Sequence, residues 1–254
     1  MNKILELLRG SDKKKKMILG IIVGVIVVAV VLVVAICVNR SDADTGESTK
    51  QKTAPKCPID FQEYWDVNEE VYAYVEVPDA DISYPILQRE GDPEYYANHQ
   101  IDGTEGLPGV IYTESINAKD FSDNNTVIYG HNMKNDTMFA NLHKFEDKDF
   151  FEKEHEIYVY TPEHRYTYKV FAAACIGDEH LMYKYNFATA DGNINFITDL
   201  QKIENSYSHY KEGTEIKNGT KLCTLLTCMP SGMENKRYIV VGYLTETIDY
   251  EKQK

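Results

Sequence analysis

The sequence predicts a mostly β domain, folded as a closed barrel or a sandwich, over residues 59–248. Eight short runs of apolar, β-branched and aromatic residues indicate strands, and Pro, Gly and Asp residues separate several of them. Many short strands within one domain are typical of β-barrels and β-sandwiches. The eight predicted strands are residues 73–77, 84–88, 109–113, 126–129, 156–160, 166–176, 220–227 and 237–244.

Helices are predicted in three places around these strands. Residues 61–71 carry apolar side chains at helical spacing, which predicts a surface helix before the first strand. A short helix is predicted to begin over residues 137–142. Residues 192–210 carry Ile, Phe, Leu and Tyr at three- and four-residue intervals, which predicts a long helical insertion before the seventh strand.

An uncharged apolar run of 22 residues, 17–38, precedes the β domain. A helix of this length rises about 33 Å, enough to cross a bilayer core of about 30 Å. Four lysines lie directly before the run and only Arg40 lies just after it, so residues 1–16 are predicted to be cytoplasmic and the β domain extracellular. A cleaved signal peptide is the alternative, but its apolar core would be shorter and would end in a small-residue cleavage site.

The rest of the chain is acidic. Residues 1–40 hold seven of the 27 Lys and Arg but two of the 40 Asp and Glu, so the net charge of −13 understates the acidity of the remainder. A domain this acidic lacks the basic footprint that nucleic-acid binding requires. Residues 39–58, rich in Ser, Thr, Asp, Lys and Pro, are predicted to be a flexible linker, and residues 249–254 a short tail.

Three reactive or charged side chains stand at the ends of predicted strands. Cys228 ends the seventh strand, Arg237 begins the eighth, and His131 follows the fourth beside Gly130. Side chains at such positions are accessible to a substrate. An arginine stabilises a thiolate and can donate hydrogen bonds to an oxyanion, so the three residues are candidates for an acyl-transfer site. The alternatives are a buried core cysteine and a simple edge-strand charge.

The remaining cysteines give no disulfide framework. Cys37 lies in the apolar run, and Cys57, Cys175 and Cys223 are irregularly spaced. Residues five apart on a strand point to opposite faces, so Cys223 and Cys228 are not predicted to bond to each other. At least one free, reactive thiol is expected. No spacing of acidic residues predicts a metal site, and no cofactor is expected.

The motifs around these residues resemble those of one family. The run Thr224-Leu225-Leu226-Thr227-Cys228 followed by Arg237 resembles the Thr-Leu-x-Thr-Cys…Arg motif of sortases, the cysteine transpeptidases of Gram-positive surfaces. The run Tyr129-Gly130-His131 resembles their histidine segment. The resemblance extends over the whole chain and looks most like class B, which adds the N-terminal helix and the helical insertion before the cysteine strand.

The resemblance implies a closed eight-stranded sortase-type barrel and three catalytic residues. Cys228 would attack the carbonyl of a Thr in a C-terminal sorting signal to form a thioacyl enzyme. His131 would exchange protons with the leaving and incoming amines, and Arg237, with the backbone N–H after Cys228, would hold the oxyanion. The implied partners are surface proteins or pilins that bear the signal, with a peptidoglycan precursor or a pilin lysine as the amine acceptor.

Four further residues are expected to line the substrate groove by the same resemblance: Tyr129, Leu226, Thr227 and Met229. Class B members often carry Ser at the position of Leu226 and a polar or acidic residue at that of Met229, so wall anchoring and pilin polymerisation both stay open. A non-catalytic membrane-anchored binding module is a further alternative. A papain-like peptidase is disfavoured, because there the cysteine precedes the histidine in sequence.

Overall fold

The computed structural model describes residues 54–251. The predicted cytoplasmic segment 1–16, the apolar run 17–38 and most of the predicted linker lie outside the described residues. Over 54–251, every helix is too short or too polar to cross a bilayer.

Eight strands close a barrel, which confirms the predicted fold class and decides against a sandwich. Neighbouring strands follow the order β5-β1-β2-β3-β4-β8-β9-β6, and pairing of β5 with β6 completes the ring. The two-residue strand β7 pairs with β6 outside the ring, and the sequence did not predict it. The strands are β1 (Val71–Val77), β2 (Ile82–Leu87), β3 (Ile111–Thr113), β4 (Asn125–Tyr129), β5 (Glu156–Tyr160), β6 (His164–Gly177), β7 (His209–Tyr210), β8 (Leu222–Cys228) and β9 (Lys236–Asp249).

Every second side chain along a strand points into the barrel and fills its interior. In β1, every second residue from Val71 to Val77 is buried, as a strand with one inward face requires. In β8, Cys223 and Leu225 belong to the barrel interior, whereas Leu222 packs with a second apolar cluster on the outside. That outer cluster lies between the barrel wall and the insertion that precedes β8, so one patch of the outer wall is covered.

The N-terminal helix is shorter than predicted. Helix α1 spans Phe61–Trp65, and the Asp60 side chain caps it by accepting a hydrogen bond of 3.0 Å from the Gln62 backbone N–H. The chain then turns, and Val71 already belongs to β1. Apolar residues at 67 and 71 suggested helical spacing, but the alternating burial that begins at Val71 is that of a strand.

The insertion is also less helical than predicted. Helix α4 (Ala190–Leu200) is capped by Thr189 and follows the short helix α3 (Leu181–Lys184). The prediction of helix through residue 210 was wrong. Asn205 accepts a hydrogen bond from the Tyr207 backbone N–H at 3.0 Å, a local turn that competes with helix, and β7 follows.

The short helix predicted to begin over residues 137–142 is a 3₁₀ helix that begins at Ala140. The 3₁₀ helix spans Ala140–Glu146, and the one-turn helix α2 (Lys148–Phe151) continues from it. The two segments that flank the predicted domain are joined by a backbone hydrogen bond. Pro55, within the predicted linker, accepts a hydrogen bond of 3.0 Å from the backbone N–H of Glu251, within the predicted tail.

Candidate active site

Strand register brings His131, Cys228 and Arg237 to one edge of the barrel. Strands β4 and β8 are parallel, with Tyr129 opposite Leu226, and the Gly130 N–H donates to the Leu226 carbonyl at 3.0 Å. Two residues further along each chain, His131 stands level with Cys228. On the other side, Arg237 is the antiparallel partner of Cys228. The register therefore places His131 and Arg237 at neighbouring backbone positions on either side of Cys228.

Cys228 is the exposed member of the four cysteines within residues 54–251, and all four are free thiols. Cys175 and Cys223 are buried and Cys57 is half-buried. Burial raises the pKa of each of these three thiols, most strongly that of Cys223, which keeps them protonated and unreactive. Accessibility thus singles out Cys228 as the candidate nucleophile.

A backbone carbonyl fixes the orientation of the His131 ring. Nε2 of His131 lies 2.6 Å from the carbonyl oxygen of Ala97. A carbonyl only accepts, so Nε2 carries the hydrogen and Nδ1 is the nitrogen left to take or give a proton. Within the described part of the chain, no hydrogen bond joins the ring to the Cys228 thiol. Contacts of this kind often tighten only when a substrate is bound.

Close packing around Gly130 positions His131. A Cβ atom at residue 130 would lie 2.5 Å from Cδ1 of Ile111 and 2.6 Å from Cδ2 of Phe139. The Phe139 N–H donates to the His131 carbonyl at 3.0 Å and closes the loop that follows. Glycine is therefore required here for close approach, and His131 is held from both sides.

Arg237 is anchored by the loop that connects β8 to β9. Its Nη1 donates to the carbonyl oxygens of Glu234 at 3.0 Å and Lys236 at 2.9 Å. A guanidinium has five N–H donors, so Nε and Nη2 stay available for a substrate carbonyl. The Met229 backbone N–H, which was expected to help hold the oxyanion, instead donates to the Lys236 carbonyl at 3.3 Å.

The four predicted groove residues divide into two pairs. Leu226 is half-buried on the outer face, as is Tyr129, whose ring stacks on Tyr112 with centroids 5.3 Å apart. Burial raises the pKa of the Tyr129 hydroxyl. By contrast, Thr227 is fully buried and Met229 nearly so, and their side chains are not available at the surface.

Sequence reasoning missed two residues that contact the Cys228 backbone. The carbonyl oxygen of Cys228 lies 3.0 Å from Nδ2 of Asn132 and 3.1 Å from Nε2 of His143. Asn132 directly follows His131, a proximity that could have suggested it. His143 lies further along the same segment, and nothing local in the sequence links it to a residue 85 positions away.

A buried acid close to Tyr129 was also missed. Glu114 directly follows β3, is 2 % exposed, and pairs with His180 at 2.7 Å from Nε2 to Oε1. Desolvation raises the pKa of the Glu114 carboxyl, although the His180 charge and hydrogen bond oppose the shift. The signal available in the sequence was an acidic residue at a strand end, the same signal that marked the other site residues.

Known proteins are similar to this chain in sequence and in fold. The sequence model of the Sortase domain matches residues 75–245, more than half of the chain. Sortase B of Listeria monocytogenes is 31 % identical over 180 residues, which cover 70 % of this chain and 71 % of that protein.

Solved structures of sortases have a similar fold. Clostridium perfringens sortase B superposes with a TM-score of 0.64 at 23 % identity, over 74 % of this chain and 100 % of that one. A Streptococcus pyogenes class B sortase involved in pilus biogenesis gives a TM-score of 0.61 at 25 % identity, over 74 % of this chain and 98 % of that one. The chain belongs to the sortase family of cysteine transpeptidases and is similar to its class B members.

Proposed function

We propose that this protein is a membrane-anchored sortase that cleaves a C-terminal sorting signal after Thr and transfers the surface protein to an amine of the cell wall precursor. The observation that carries the proposal is the exposed thiol of Cys228 at the level of His131 on one side and Arg237 on the other. The non-catalytic binding module is disfavoured, because such a module has no need of this juxtaposition.

The first half of the reaction forms a thioacyl enzyme. Sγ of Cys228, as the thiolate, attacks the Thr carbonyl carbon, and the carbonyl electrons move onto oxygen. Free N–H groups of Arg237 stabilise that oxyanion. The peptide C–N bond then breaks, and the imidazolium of His131 gives its Nδ1 proton to the leaving amine.

The second half reverses the roles. The incoming amine attacks the thioester carbonyl, and Nδ1 of His131 takes the proton that the amine loses. The C–S bond breaks, and the thiolate of Cys228 is restored beside Arg237. The new amide joins the surface protein to its acceptor, and no external oxidant, metal or cofactor takes part in these steps.

The groove for the sorting signal is proposed to run along the outer face beside Cys228. Tyr129 and Leu226 share that face and are partly exposed, which suits them to contact the signal. The burial of Thr227 and Met229 makes a direct side-chain contact with the signal unfavourable, so these two act through the shape of the wall.

Anchoring is proposed to occur through residues 17–38, with residues 1–16 in the cytoplasm and the catalytic domain outside the cell. The uncharged apolar run and the lysines before it support this part of the proposal. A tether at the membrane surface raises the effective concentration of reactants that are held at the same surface.

Pilin polymerisation through a lysine is the second candidate. The similar Streptococcus pyogenes structure is that of a class B sortase involved in pilus biogenesis, and Leu226 departs from the residue common in class B. The two candidate functions differ only in the amine acceptor, so the test must identify which acceptor the enzyme uses.

The test uses the full chain in detergent, incubated with fluorescent sorting-signal peptides and either a cross-bridge peptide amine or a lysine-bearing peptide. Mass spectrometry is expected to show a thioacyl adduct on Cys228 and a transferred product. The Cys228→Ala variant should give neither, whereas Cys57→Ser is the matched control and should retain both. Full turnover by Cys228→Ala would contradict the mechanism.

A further inference from the structure

We propose that His143 is a positioning residue for the nucleophile: as an imidazolium it bridges the Glu146 carboxylate and the Cys228 backbone carbonyl and, with Asn132, fixes the strand end that carries the thiol. This inference rests on the proposed transpeptidase function and deepens it. His143 touches neither the sorting signal nor the thiol in this scheme, and it acts through the backbone of Cys228.

Both ring nitrogens of His143 face acceptors. Nδ1 lies 2.5 Å from Oε1 of Glu146, and Nε2 lies 3.1 Å from the carbonyl oxygen of Cys228. Neither a carboxylate nor a carbonyl can donate a hydrogen, so both contacts are hydrogen bonds only when both nitrogens carry protons. A charged ring donates to both acceptors, whereas a neutral ring would donate to Glu146 from Nδ1 and accept from Asn132 at Nε2, so the proposed bridge to Cys228 requires the charged form.

The Cys228 carbonyl accepts a second hydrogen bond from Asn132. Nδ2 of Asn132 lies 3.0 Å from that oxygen and also 3.0 Å from Nε2 of His143. A carbonyl oxygen has two lone pairs and accepts from two donors. In the proposed bridge the two nitrogens converge on this one acceptor.

Other titratable groups surround this contact. Tyr238 of β9 stacks on the His143 ring with centroids 5.1 Å apart, and the Glu146 backbone carbonyl accepts from the His209 ring of β7 at 2.8 Å. Burial, and to a lesser degree the charge of Glu146, raises the pKa of the Cys175 thiol, and burial with the charges of Glu146 and Cys175 raises the pKa of the Tyr238 hydroxyl. Glu146 is the carboxylate that pairs with His143, whose side chain is 17 % exposed, so solvent screens the pair only in part.

The contacts of Asn132 and His143 with the Cys228 carbonyl, together called the clamp, join the two strand ends that form the site. Asn132 is the chain neighbour of His131, and His143 lies on the 3₁₀ helix that follows the same loop. Both reach the end of β8 at Cys228. The two hydrogen bonds therefore hold the loop that carries the imidazole against the strand that carries the thiol. Small displacements of reacting groups cost large factors in rate, which gives the clamp a kinetic role.

The experiment compares the full chain in detergent with His143→Phe, His143→Gln and Glu146→Gln. Phenylalanine keeps the volume and the stacking on Tyr238 but donates no hydrogen bond, whereas glutamine keeps one N–H donor without a charge. We expect His143→Phe to lower kcat about tenfold with KM unchanged, and His143→Gln to recover most of that loss. We also expect the pH profile of kcat to lose one titration in His143→Gln.

A purely structural role would give a different pattern. Equal losses in His143→Phe and His143→Gln, a loss confined to KM, or a pH profile that keeps its shape in His143→Gln would each overturn the proposal. Thermal unfolding of each variant separates a loss of fold from a loss of positioning.

Measuring the protonation of His143 directly distinguishes a failure of this proposal from a failure of the proposed function. The side-chain ¹⁵N NMR signals of His143 should show two protonated nitrogens at neutral pH, and Glu146→Gln should abolish that state. If no variant and no wild-type protein transfers the peptide but His143 is doubly protonated, the clamp stands and the transpeptidase proposal fails. A singly protonated His143 in a protein that transfers the peptide would overturn the clamp alone.

Discussion

Nε2 of His180 lies 2.7 Å from Oε1 of Glu114, whose carboxyl group is buried on the outer wall beside Tyr129. Desolvation raises the pKa of this carboxyl in the folded protein above its value in the unfolded chain, and the His180 charge offsets only part of the effect. A raised pKa means that the folded state binds this proton more tightly. The stability from this group is present below the unfolded pKa and is lost as pH rises through the folded pKa.

Replacing Glu114 with Gln should therefore change the pH dependence of stability. Glutamine removes the ionisation, so the free energy of unfolding of Glu114→Gln relative to wild type is expected to increase as pH rises from about 4 to 7. Urea denaturation at several pH values measures this. Glu90→Gln, at an exposed carboxyl, is the control and should give a flat difference. A difference that falls with pH for Glu114→Gln would contradict the sign.

Gly130 offers a test of how tightly the histidine loop is packed. A methyl group at this position would overlap the side chains of Ile111 and Phe139. Gly130→Ala is expected to lower the free energy of unfolding by about 1–3 kcal/mol and to reduce acyl transfer by displacing His131. Gly177→Ala is the matched control, because its Cβ would meet only the flexible end of Glu179 at 3.2 Å. Equal effects of the two substitutions would show that packing at Gly130 is not what positions His131.

The rate of thiol modification should differ between the exposed and the buried cysteines. Brief treatment of the native full chain with iodoacetamide, followed by peptide mapping, is expected to label Cys228 at least tenfold faster than Cys175 or Cys223. Cys228 is exposed, whereas burial raises the pKa of the other two thiols and hinders access to them. Urea should make all of these sites equally reactive. Labelling of Cys223 in the native protein at the rate of Cys228 would contradict the inward orientation of its side chain.

The strands were predictable because their signal is local. Alternating or continuous apolar runs mark each of the eight barrel strands, and the predicted bounds differ from the observed ones mainly at the ends, where β9 continues to Asp249. The helices were less predictable, since the apolar spacing of residues 201–210 is compatible with helix. A side-chain turn at Asn205 and the pairing of β7 with β6 prevent a helix here. The pairing cannot be read from the local sequence, because β6 is distant along the chain.

The site was predictable in part for the same reason. Strand ends beside loops marked His131, Cys228 and Arg237, and the structure brings the three together. The inward orientation of Thr227 and the contact of His143 with the Cys228 carbonyl depend on how the barrel closes and where the 3₁₀ helix lies. Strand alternation puts Thr227 on the face opposite to Cys228, but no pattern within a few residues shows which face is inward or that His143 reaches Cys228.

Substitutions of Arg237 can separate the effect of its positive charge from the effect of its hydrogen-bond geometry. Its Nη1 is already held by two loop carbonyls, so the guanidinium presents its remaining donors from a fixed position. Lysine would keep the positive charge beside Cys228 but lose the forked donors and the anchoring contacts. We expect Arg237→Lys to reduce kcat/KM about 10²-fold and Arg237→Ala about 10³-fold, measured with a sorting-signal peptide and an amine. Lys236→Ala, which removes the neighbouring charge, is the control and should change kcat/KM less than threefold. If Arg237→Lys matched wild type, a point charge would suffice, and the proposed role of the guanidinium as an oxyanion donor would be wrong.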